Sequence, residues 1–101
     1  MDMKKMMREA QKMQKEMEKA QEEVVLLTAE ATVGGGMVKV VAKGDGSIAS
    51  IAIDPAAVDP DDVEMLEDMV LAAVNDALRS VSELVNMRMS AVTGGFNLPG
   101  F

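Results

Sequence analysis

From residue 3 onward, apolar positions recur at alternating steps of three and four: Met3, Met6, Ala10, Met13, Met17, Ala20, Val24 and Leu27. Such steps place all eight along one stripe of an α-helix, the seam of a helix that meets another helix. No Gly, Pro or β-branched residue precedes Val24, and Met, Lys, Glu, Gln and Ala, all good helix formers, dominate. The pattern predicts a helix over residues 1–27. Beyond Leu27 the period falls to two. Ala29, Ala31 and Val33 alternate with Thr28, Glu30 and Thr32, and after Gly34–Gly36 the run MVKVVAK alternates again, with Val38, Val40 and Ala42 on one side. Asp45-Gly46 is a hairpin turn signal, and SIASIAID follows as a third strand with Ile51 and Ile53 on a common face. Residues 28–54 therefore read as an antiparallel three-stranded meander, closed by Asp54-Pro55.

Asp59-Pro60 looks like a helix start, with Asp59 as N-cap and Pro60 in the first helical position. Asp61, Asp62 and Glu64 would then face the positive end of the helix dipole. Val63, Leu66, Val70, Ala73, Ala77, Val81 and Leu84 make one apolar stripe, while Met65, Met69 and Ala72 fall on another side. A second helix over residues 59–93 is expected, then a flexible tail over 94–101 in which FNLPGF shows no periodicity. The whole is an α+β chain of order α-β-β-β-α, one domain over residues 1–101. Two uncovered apolar patches, the seam and the Met65–Met69 side, predict a homodimer, with Met6, Met13, Met17, Met65 and Met69 as candidate dimer contacts.

Charge sharpens the first helix. The chain is acidic at net −7, yet residues 1–23 hold six of its ten cations. Lys5, Lys12 and Lys19 share one heptad position and Arg8 and Lys15 another, about 160° around the helix from the seam at 100° per residue. Residues 45–68, by contrast, carry eight Asp or Glu and no Lys or Arg. Spacing alone makes the cationic ridge a solvated face. No apolar run approaches the roughly 18 residues of a membrane span, so a soluble intracellular protein with no membrane partner is expected.

Enzyme chemistry has little to work with. There is no Cys and no His, so the serines lack the usual activating base. The carboxylates at 59–68 suit a helix N-terminus better than a catalytic pair. They also lack the spacing and glycine of a calcium loop. Gly34–Gly36 precede a strand, not the Gly-Lys-Ser/Thr and helix of a phosphate-binding loop. The expectation is no enzyme activity, no cofactor, no metal and no small-molecule substrate.

The runs MREAQKMQKEMEKAQEE, GGGMVKVVAKGDG, IAIDP, DPDDVEMLEDMVLAAVNDAL and TGGFNLPGF cover nearly the whole chain. In that order, they resemble the YbaB/EbfC family of bacterial nucleoid-associated proteins. The resemblance implies a homodimer that binds duplex DNA through projecting helices, located in the cytoplasm at the nucleoid. It attributes DNA contact to the N-terminal helix and the end of the C-terminal helix. On this sequence those regions hold Lys4, Lys5, Arg8, Lys12, Lys15, Lys19 and Arg88. Without aromatics among these cations, base stacking is not expected, and phosphate contact with weak sequence preference is. The alternative is a protein-interaction module that grips partner proteins with the Met-rich seam.

Overall fold

The computed structural model of the chain describes residues 2–94. Helix α1 spans Met3–Val24, strands β1, β2 and β3 span Thr28–Val33, Val38–Lys43 and Ile48–Ile53, and helix α2 spans Val63–Gly94. The α-β-β-β-α order is as the sequence predicts; the boundaries differ where local bonding decides them.

Asp2 caps α1, its carboxylate accepting from the Lys4 N–H at 3.0 Å. The helix ends at Val24, three residues before the expected Leu27. There the backbone tightens, with Leu26 N–H donating to Glu23 O and Leu27 N–H to Val24 O, both at 3.1 Å. The β-branched pair Val24-Val25 favours this exit, and the turn aims the chain into β1.

The strands form an antiparallel sheet in the order β1-β2-β3. Ala29, Ala31 and Val33 pair with Ala42, Val40 and Val38, so all six side chains share one face. On the opposite face Lys39 reaches Glu30 at 3.2 Å. The β1–β2 turn is Gly34–Gly36, all three at positive φ, backbone that side chains rarely tolerate. The β2–β3 turn is the expected Asp45-Gly46, with Lys43 N–H donating to Ser47 O at 2.8 Å. The Asp45 carboxylate accepts from the Ser47 hydroxyl and, at 2.9 Å, from its N–H. These bonds to the charged form hold its pKa below the usual 3.8. A lowered folded pKa means that this turn's stabilisation is present above pH 3.8 and fades as acid protonates the group.

A bulge at Ala49 shifts the register of β3, pairing Val41 with Ser50 but Ala42 with Ile48. The extra residue rotates Ile48 onto the face that Ile51 and Ile53 already share.

Helix α2 starts at Val63, not at residue 59. Asp59 builds a turn instead, its carboxylate accepting from Asp61 N–H at 2.9 Å and its carbonyl from Asp62 N–H at 3.0 Å. Pro60 suits the second position of such a turn as well as it suits a helix start. The cap passes to Asp62, which accepts from Met65 N–H at 3.3 Å. A short 3-10 turn, Pro55–Ala57, fills part of the connection, with Asp54 accepting from Ala56 N–H at 2.8 Å. Gly94, expected in the tail, is still helical; the rest of the expected tail, residues 95–101, lies outside the described residues.

The core is Val38, Val40 and Ala42 of β2 against Ala73, Ala77 and Val81 of α2. Among the described residues, no fully buried side chain is larger than valine. Past the sheet, α2 buries its side toward Val85, Arg88 and Val92. Leu84, expected on the stripe, is exposed.

Candidate nucleic-acid interface

Helix α1 meets the body only through its second half, from Met13 on. Residues 2–12 are all exposed, and full burial begins at Ala20. Two contacts fix the base of this arm. A Cβ on Gly44 would stand 1.6 Å from the Val24 carbonyl oxygen and 3.4 Å from Val85 Cγ2, so only glycine admits the helix end here. Next to it, the Nε and one Nη of Arg88 both donate to Glu23 Oε2 at 2.8 Å. Those two side chains are 35% and 42% exposed. That exposure limits the pair to a fraction of a kcal/mol up to about 1 kcal/mol, but it ties α1 to α2 across 65 residues of sequence.

The molecule is consequently long, 72 × 23 × 16 Å. α2 alone accounts for about 48 Å at 1.5 Å per residue. Met65 and Met69 lie at its start and the Glu23–Arg88 pair near its end, with the free part of α1 beyond.

All six cations of α1 are exposed: Lys4, Lys5, Arg8, Lys12, Lys15 and Lys19. Lys5, Arg8, Lys12, Lys15 and Lys19 fall within an arc of about 80° and extend about 21 Å. Among the described residues none of the six comes within ion-pair distance of a carboxylate, although Glu9, Glu16, Glu18 and Glu22 share the helix. Of the four other cations, Lys39, Arg79 and Arg88 are paired, with Glu30, Asp76 and Glu23, and Lys43 is not. The ridge therefore offers unpaired ammonium and guanidinium groups on a convex rod, the geometry for meeting a row of phosphates. The carboxylates of residues 59–68 lie at the other end of the long axis. Separation well beyond the roughly 8–10 Å Debye length keeps them from opposing an anion at the arm.

The family model of the YbaB/EbfC DNA-binding proteins matches residues 1–96 of this chain. The chain belongs to the YbaB/EbfC DNA-binding family. This is a family of DNA-binding proteins, not of enzymes. Among its relatives, a nucleoid-associated protein of Desulforamulus reducens is 60% identical over 99 residues, covering 98% of this chain and 94% of that protein. A nucleoid-associated protein of Thermoanaerobacter sp. is 56% identical over 95 residues, covering 94% and 86%. The crystal structure of an uncharacterized protein from Helicobacter pylori is similar at TM-score 0.69 and 27% identity, covering 92% of this chain and 96% of that one.

The structure brings six of the seven candidate DNA residues together on one YbaB/EbfC arm and sets Arg88 apart. Arg88 stands at the arm's base with its charge already engaged by Glu23. This clamp was missed in the sequence. Its signal was an arginine on the apolar side of α2 and a glutamate beside the seam of α1, opposite charges at two contact positions. The candidate dimer contacts divide as well. Met13 and Met17 are half-buried within their own chain and Met6 is exposed on the arm. Met65 and Met69 sit at the far end beside Val33, Asp62, Glu64 and Asp68.

Proposed function

We propose that this chain is a nucleoid-associated protein of the cytoplasm that binds duplex DNA as a dimer, chiefly through phosphate contacts from the ridge of α1. The observation that carries the reading is the ridge itself, six exposed cations with no ion pair among the described residues, on a helix whose first half stands clear of an acidic body. Lys5, Arg8, Lys12, Lys15 and Lys19 contact phosphates, Lys4 flanks them at the tip, and Arg88 mainly sets the angle of the arm.

Lysine ammonium groups on a rod read charge and spacing, not base edges. No Asn or aromatic side chain accompanies them on α1, and its glutamines, Gln11, Gln14 and Gln21, fall outside the arc of the ridge, so the usual adenine-reading and stacking contacts are poorly supplied. Fluorescence anisotropy with four unrelated 30-base-pair duplexes is the test. Affinities should agree within about tenfold, as backbone binding requires. A preference of about a thousandfold for one duplex, in the range of specific readers, would overturn the phosphate reading, and absence of binding to all four would overturn DNA binding itself.

A further inference from the structure

Beyond the sheet α1 and α2 run antiparallel, and their contacts mark the register. Val24 and Val85 both stand against the site of a Gly44 Cβ, and Glu23 meets Arg88. One turn further out along each helix, Ala20 and Val92 are buried. Each step back along α1 is thus matched by a step forward along α2. Continued at this register, Gly94, the last helical residue of α2, stands level with Met17 and Glu18.

The seam of α1 has a shallow recess at this point, lined by Ala10, Met13, Gln14, Met17, Glu18 and Gln21. The methionines give it apolar walls, and Glu18 is the one charged residue among the described lining. Exposure along the seam is uneven. Met3 and Met17 share one heptad position, Met6 and Met13 the other. Yet Met3 and Met6 are 74% and 51% exposed, whereas Met17 and Met13 are half-buried.

We propose that residues 95–101 of the same chain occupy this recess, with the ring of Phe96 between Met13 and Met17 and Leu98 following outward along the seam. The proposal goes beyond the functional reading above and does not rest on it.

Reach, composition and charge support this occupant. Two residues past Gly94 span up to about 7 Å, and Met13 lies only about 6 Å outward of Met17. Residues 95–101 read GFNLPGF, with three large apolar side chains and no charged one. Gly95 and Pro99 are poorly suited to carrying α2 onward as a helix. Flexible thioethers shape themselves to an aromatic ring, and sulfur–ring contacts are favourable. A neutral segment also suits a seam flanked by Glu9, Glu16 and Glu23. The seam of a second copy, docked antiparallel, would set those carboxylates against their counterparts.

The arm has a use for such cover. From Met3 to Glu16 it otherwise runs without a packed partner, and isolated helices shorter than about 12–15 residues are marginal in water. Docking on the seam leaves the ridge open, because the two lie about 160° apart. A partner protein seeking the seam would first have to displace residues 95–101.

The chain's composition supplies the test. It has no Trp or Tyr, and its two phenylalanines are Phe96 and Phe101. A ring-current shift on any methionine methyl therefore originates in residues 95–101. The full chain is labelled with methyl-13C methionine, and the signals are assigned with Met13→Leu and Met17→Leu. In the wild type the Met13 and Met17 methyls should lie upfield of those of Met3 and Met6. In Phe96→Leu, which keeps the residue apolar, that shift should be lost. Unshifted methyls, shifts that survive Phe96→Leu, or a ring current on Met65 and Met69 instead would overturn the proposal. Labelled Phe96→Leu mixed with excess unlabelled wild type should stay unshifted. A restored shift would assign the segment to another copy and refute docking within the chain. Should Phe96→Leu misfold, the wild type decides alone. Nuclear Overhauser contacts must join a phenylalanine ring to the Met13 and Met17 methyls, and their absence would refute the proposal.

Discussion

Replacing Lys12 and Lys15 together with glutamate should lower affinity for duplex DNA at least about 100-fold at 0.1 M salt and leave the fold unchanged. A dimer presents ten cations from the five-residue ridge. The double change removes four and adds four carboxylates at the centre of the two rows. Each phosphate contact contributes a factor of about eight at this salt, so losing two costs about 60-fold before repulsion is counted. Folding should not suffer, because both lysines are exposed and neither meets a carboxylate among the described residues. Glu9→Gln with Glu16→Gln is the matching control and should not weaken binding, since it removes negative charge beside the ridge. Anisotropy titrations read the affinity, and circular dichroism reads the helix content. Normal binding by the lysine double variant would leave the cations as solvation and turn attention to the exposed methionines of the arm as a surface for partner proteins.

Gly44→Ala should be the most damaging glycine-to-alanine change among Gly34, Gly35, Gly36, Gly44 and Gly46. Its Cβ would lie 1.6 Å from Val24 O and 2.8 Å from Val24 C, both backbone atoms that cannot rotate aside. The end of α1 would have to move off the β2–β3 turn. That move would strain the bond from Gly44 N–H to Leu27 O, now 2.8 Å, and disturb the Glu23–Arg88 pair beside it. A forced shift of this kind costs about 3 kcal/mol, or roughly 12–24 °C in melting temperature for a chain of this size. Gly35→Ala makes the contrast. It meets nothing within 4 Å but sits at φ +68°, so its cost is the left-handed backbone alone, about 1–2 kcal/mol. Thermal melts of the two variants at one protein concentration check the order. If Gly35→Ala proved the worse, the packing of α1 against the turn would be wrong.

Much of this fold can be read in the sequence because its signals are local. The three-four spacing from Met3 to Val24, the alternation in β1 and β2, and Asp45-Gly46 each encode an element within a few residues. The ridge was legible for the same reason, since one helix fixes the relation of Lys5 to Lys19. What the sequence hid were relations between elements. Asp59-Pro60 satisfies a turn and a helix start equally well, and only the placement of α2 on the sheet favours the turn. Ile51 and Ile53 alternate as buried residues should, yet nothing in β3 reveals that α2 stops short of it. Arg88 entered only through the resemblance, and its ion pair with Glu23, 65 residues away, is not something local spacing reveals. Gly44 merely flanks the Asp45-Gly46 signal in the sequence, and the helix end that crowds it is distant in the chain.

The salt dependence of duplex binding by the unaltered protein tests the central claim most directly. If roughly half of the ten ridge cations of a dimer meet phosphates, log K against log salt should fall with a slope of about −4.5. Affinity should then drop on the order of 500-fold between about 50 and 200 mM salt. A slope near zero would contradict the account, because binding that releases no counterions is not made by this ridge.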